Sequence, residues 1–184
     1  MLTPVQQGAS GFLAPLLQWY NRVMETTYAY LAGAIDADGF ISIGQKVGAR
    51  KRNDGTPVRY YVVKIGLSET DATIPDLLQS IFPSWRGSYQ PKNPLHKRWY
   101  IWQATDLKAR KPLVQLLPYL RLKHRQAELA LSMLDLKIQQ NTGRFMGNRL
   151  TPEQARARWE IYAQLTHLNA PRNRRVYLLE TPVP

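Results

Sequence analysis

The chain contains no cysteine in its 184 residues. Disulfide staples and thiolate metal sites are thereby excluded, and nothing calls for an oxidising compartment. Histidine is scarce as well: His96, His124 and His167 show no ligand spacing and read as surface residues. No apolar run approaches the ~20 residues that span a bilayer. The opening stretch Met1 to Gly8 lacks the basic residue of a secretory signal, so an unsecreted protein is expected. Acids are few, 13 against 25 Lys plus Arg, which leaves a net charge of +12 and a pI near 10.1. That imbalance calls for a polyanionic partner, a nucleic acid or an anionic membrane surface. The rest of the composition, 44% hydrophobic and 21% charged, suits a globular chain long enough for one well-cored domain.

What is present is concentrated in one stretch, Tyr28 to Gly39, whose centre reads L-A-G-A-I-D-A-D-G from Leu31 to Gly39. It predicts a helix on which Ala29, Gly33 and Ala37 share a face. Such a small-residue stripe buries little area but lets another backbone come close. Gly39 suits a helix end. Asp36 and Asp38 just before it are out of place, because the helix dipole disfavours each carboxylate there by ~0.3–1 kcal/mol. A divalent cation held by a carboxylate and the helix-end carbonyls would offset this. On its own, D-x-D-G is also a common turn. An EF-hand loop is excluded, since Ile41 and Val47 stand where its Gly and Glu belong.

The nine residues resemble the signature of the LAGLIDADG homing endonucleases, departing only at Ala34, where the family name has Leu. The resemblance implies a DNA-cleaving enzyme in which two such helices pack side by side and their acidic ends form the active sites.

Along the chain, Phe12, Leu13, Leu16, Leu17, Tyr20 and Met24 follow helical spacing, so residues 1–24 are expected as an amphipathic helix packed on the core. With Arg22 its only basic residue, it makes a poor membrane-surface helix. Phe40 to Val47 and Val58 to Leu67 read as strands around a basic turn at Asp54-Gly55. A helix follows to Phe82, then a hairpin of Trp85–Lys92 and Lys97–Ala104, a short proline-bearing helix from Leu107, and a long helix from Lys123 to Gln140. Thr151-Pro-Glu-Gln154 is a capping box for a last helix to Asn169. The expected fold class is α+β: the αββαββα core of the single-motif family, with a saddle-shaped antiparallel sheet and extra N- and C-terminal helices. Residues 25–170 would form the endonuclease domain and 171–184 a basic tail.

The charge sits on the two hairpins. Residues 40–66 carry six basic residues against Asp54, a net +5, and residues 84–105 carry +4 with no acid. Polar outer faces are common on antiparallel sheets, but with mixed signs. One face is expected to carry Ser42, Lys46, Arg50, Lys51, Tyr60, Lys64, Arg86, Ser88, Gln90, Lys92, Arg98 and Tyr100 toward duplex DNA. A two-stranded ribbon fits the major groove. Trp85, Trp99 and Trp102 are expected mainly as core.

By resemblance, Asp38 is the metal-ligating acid, Ala37 lends a carbonyl, and Asp36 has a supporting role among the catalytic acids. The segment Pro118 to Ala127 also looks like the family, with Lys123 beside the scissile phosphate; a solvated helix start is the plainer alternative. Where the family often places a Gln near the water, this chain has Leu67. A single signature implies a homodimer through Ala29, Ala32, Gly33 and Asp36. The implied cofactor is Mg2+, with Mn2+ or Ca2+ able to bind in its place. The implied activity is hydrolysis of both strands at a long pseudo-palindromic site, leaving 3′ overhangs, for a mobile intron or intein. The setting would be a prokaryotic cytoplasm or an organelle, with no membrane partner. The alternative is a non-cleaving binder of the same fold, such as a splicing maturase or a DNA-binding regulator.

Overall fold

Helix α1 (Ser10–Asp38) passes directly into strand β1 (Gly39–Lys51) with no loop between them. Gly39 makes the junction possible: a Cβ there would stand 2.7 Å from the Ile35 Cα and 2.9 Å from the Gly66 carbonyl oxygen. The computed structural model describes residues 10–51, 57–93, 95–141 and 150–170. The expected Asp54-Gly55 turn, the 171–184 tail and residues 1–9 lie outside them.

Strand β2 (Pro57–Glu69), helix α2 (Thr73–Ile81), strands β3 (Trp85–Tyr89) and β4 (Trp99–Thr105) and helix α3 (Leu107–Leu116) complete an αββαββα order. A 3-10 turn (Leu117–Tyr119) then leads to α4 (His124–Asn141) and α5 (Pro152–Asn169). The capping box of Thr151 and Gln154 forms as its sequence predicts. Pro112 lies inside α3, which stays short. From Ser10 on, the expected N-terminal helix is not separate but forms the first turns of α1. Its Leu17, Trp19 and Tyr20 are more than half exposed.

The sheet is antiparallel throughout, in the order β1-β2-β4-β3. Its register divides the side chains into two faces. Ile41, Ile43, Tyr61, Val63, Ile65, Leu67, Trp102 and Ala104 point toward the helices and form one core with Leu31, Ile35, Leu78, Leu113, Met133 and Leu165. The Trp102 indole N–H donates to the Phe82 carbonyl at 3.1 Å, which satisfies the one polar atom of a fully buried ring. α5 is tied to the sheet by the Asn169 side-chain amide, which donates to the Ile41 carbonyl at 2.9 Å. Among the described residues, the helices pack on this one face of the sheet. Among the described residues, no helix is long and apolar enough to cross a membrane.

Candidate functional site

The acids at the end of α1 point different ways. Asp36 is buried, 8% exposed, and its two oxygens are occupied. Oδ2 accepts from the backbone N–H of Arg121 at 2.6 Å and of Leu122 at 3.1 Å, and Oδ1 from that of Lys123 at 2.8 Å. Three successive amides thus form a cradle for one carboxylate just before α4. The Lys123 ammonium returns the contact by donating to the Asp36 carbonyl. A cation thereby sits on the helix-end carbonyls, where the dipole is negative. Burial holds the Lys123 ammonium below the usual lysine range, against the pull of Asp36 and Asp38. Asp36 is therefore an anchor, and its oxygens are not turned to a metal or a reacting atom.

Asp38, two residues on, is exposed, as is Ala37. Its carboxylate and the neighbouring carbonyl are hard oxygen donors, the type that Mg2+ takes. Among the described residues, no three His, Cys, Asp or Glu side chains come together. The described side chains of that set therefore do not form an all-protein cage. Mg2+, which keeps waters and takes one or two carboxylates with phosphate oxygens, fits this sparse set.

Next to Asp38, the β1–β2 register pairs Gly39 with Leu67, and Ser68 follows Leu67 on β2. Leu67 is fully buried on the helix side of the sheet, so it cannot reach the acid end. Ser68 faces the open side, and its buried Oγ has no hydrogen-bond partner.

The outer side of α1 is bare. Trp19, Val23, Thr26, Tyr30, Gly33 and Ala37 recur at alternating steps of four and three, and all six are exposed. This is the spacing of a heptad seam, exposed along its length. A groove of about 550 Å³ runs along its first half, between Trp19, Arg22, Val23, Thr26, Tyr30 and Leu77. Beside Gly33, where a Cβ would meet nothing within 4 Å, the seam is open. Ala29 lies exposed at its margin. Ala32 is fully buried in its own chain's core, and Asp36 is gripped by the segment leading into α4, so these two expected interface residues face inward.

The open face of the sheet follows from the register. On β1 and β2, Ser42 pairs with Lys64 and Lys46 with Tyr60, all on the side away from these helices as expected. Arg50 and Lys51 lie in β1, but their side chains fall outside the described residues. On β3 and β4 the expectation fails. Gly66 pairs with Gln103, and Gln103 with Trp85, so Trp85, Tyr89, Trp99 and Gln103 share the open face. Arg86, Ser88 and Tyr100 have the parity of buried Trp102 and turn to the helix side. Arg86 is spent there: its Nε meets Asp76 of α2 at 2.8 Å, and its guanidinium lies 5.2 Å from the Tyr100 ring centre. Gln90, Lys92 and Arg98 are exposed in the connection between the strands, where Arg98 Nε donates to Gln90 Oε1 at 3.3 Å.

No protein-family model matches the chain, and no curated protein sequence matches it. Solved structures do. The homing endonuclease I-CvuI, in complex with DNA in the presence of Mg, superposes with a TM-score of 0.62 at 19% identity, over 85% of this chain and 92% of that one. The group I intron-encoded homing endonuclease I-CeuI, complexed with DNA, gives 0.54 at 13% identity, over 90% and 89%. The LAGLIDADG homing endonuclease I-SmaMI, bound to cleaved DNA, gives 0.56 at 13% identity, over 75% of this chain but 43% of its own length. The chain has the fold of the LAGLIDADG homing endonucleases.

Proposed function

We propose that the chain is a site-specific double-strand DNA endonuclease that works as a homodimer with a divalent cation, Mg2+ by preference. The observation that carries this reading is an exposed Asp38 on the same helix as an exposed heptad seam. Two copies packed along that seam bring their Asp38 carboxylates together about a two-fold axis. The shared fold supports the reading, since I-CvuI and I-CeuI were solved on DNA.

In this arrangement Asp38 and the Ala37 carbonyl would hold the cation with phosphate oxygens and water. When bound, the cation polarises the phosphate and makes water a stronger nucleophile. Lys123, at the same helix end, steadies charge developing on the phosphate. Ser68, next after Leu67 on the strand paired with Gly39, offers an unpartnered hydroxyl that would orient the water where Leu67 cannot. Asp36 positions Lys123 through the three amides it grips. Lys46, Lys64, Ser42 and Tyr60 meet phosphates and base edges in the major groove. A two-fold dimer reads a pseudo-palindromic site, as expected of an enzyme of a mobile intron or intein acting inside a cell.

The test is cleavage of a plasmid library carrying randomised inserts, in Mg2+, by the parent and by Asp38→Asn. Linear product from the parent alone supports the reading. Tight, sequence-selective binding by the parent without any cleavage sinks it.

A further inference from the structure

We propose that the base pairs lying over β3 and β4 are recognised through thymine methyl groups, by Trp85, Tyr89 and Trp99. The inference rests on the reading that duplex DNA lies on the open face of the sheet. It adds which bases this half of the face selects and by what force.

The face is divided. Its β1–β2 half carries Lys46 and Lys64. Its β3–β4 half presents Trp85 at 55% exposure, Tyr89 at 53% and Trp99 at 49%. Ile101 lies between them, and Gln103 and Thr105 are the polar side chains on that half. The one arginine in these strands, Arg86, is on the other side and paired with Asp76. The Trp85 ring lies across Gly87, close enough that a Cβ on Gly87 would stand 2.6 Å from it. Phe40 covers Gly66 in the same way, at 2.6 Å. Rings laid on glycines keep the relief of the sheet low, so a broad convex ligand can approach.

The faces of these rings cannot satisfy the donors and acceptors of base edges; only the Tyr89 hydroxyl and the indole N–H groups, at the ring margins, can hydrogen-bond. The apolar feature that a duplex presents in its major groove is the thymine 5-methyl. Stacking is excluded, because a duplex offers no unstacked base. A protein segment is a poorer occupant. The patch continues into the lysine rows, and the connection beside it exposes Lys92, Lys97 and Arg98 with no acid in residues 84–105.

The experiment selects duplexes from a randomised pool with the Asp38→Asn protein, then remakes the selected duplex with deoxyuridine for one thymine at a time. Burying one methyl is worth about fourfold in affinity. The expected result is about fourfold weaker binding at two or more thymines of each half-site, and no such penalty in Trp85→Ser/Tyr89→Ser/Trp99→Ser, whose changes are at half-exposed positions. Lys64→Ala, by contrast, weakens thymine and uracil duplexes alike. Equal binding of thymine and uracil duplexes by the parent sheet overturns the proposal and leaves DNA binding standing. A uracil penalty that persists in the triple variant overturns it too. Failure to enrich any duplex overturns both.

Discussion

At the level of single residues, the two acids of the signature divide anchoring from chemistry. Asp36→Asn turns an amide NH2 toward N–H donors that need an acceptor, and removes a charge. The expected cost is about 2–4 kcal/mol, since unsatisfied donors cost roughly 1–3 kcal/mol each. In a chain this size that lowers the melting temperature by about 5–15 °C. Asp38→Asn removes a carboxylate from the wrong end of a helix dipole. It should leave stability unchanged or raise it by about 0.3–1 kcal/mol while abolishing cleavage. Equal melting losses in both variants would refute the division. Lys123 supplies a pH test. Its folded pKa is lowered, so the unfolded chain holds the proton more tightly. The burial cost is present in full below the folded value and is relieved as pH rises from there toward the unfolded value of 10.5. Parent stability relative to Lys123→Met should therefore climb across that alkaline window; a flat difference in urea melts argues against it. The oddity of acids at a helix end was legible in the sequence. The partners of Asp36 were not, because they lie 85 to 87 positions away, beyond any periodicity.

Among the elements, the order of helices and strands was readable from alternation and capping, and Thr151 with Gln154 is an instance. Two features were not. A stripe counted every four residues finds Ala29, Gly33 and Ala37 but misses the four-three seam that runs back to Trp19. The second hairpin has aromatic residues on both parities, Trp99 and Trp102 among them, so alternation alone cannot say which side is core. Only its pairing with β2 decides. The seam is open to a sharp substitution. Gly33→Ala meets nothing and should stabilise the folded chain by up to about 1 kcal/mol through helix propensity. Gly33→Phe should fold as well yet sediment as a monomer and fail to cut. A dimeric Gly33→Phe protein would remove the seam from the assembly. Gly39→Ala is the contrast: its methyl would press on the Ile35 backbone, so a soluble, fully stable product is not expected.

For the molecule as a whole, the net charge of +12 makes affinity for DNA depend steeply on salt. Lys46→Ala and Lys64→Ala should each reduce the log–log salt slope by about 1. Arg86→Ala should leave it unchanged, since that charge is on the far side and matched by Asp76. Fluorescence titrations from low to moderate salt measure all three. The grip of Asp36 on residues 121–123 has a further consequence for how the chain comes into being. A nascent polypeptide has made its signature helix long before the amides that moor it exist. While the ribosome is still translating β1 through α3, the acid end is untethered and Lys123 has not been made. A product truncated before Arg121 would carry the whole signature yet lack the three amides that hold Asp36.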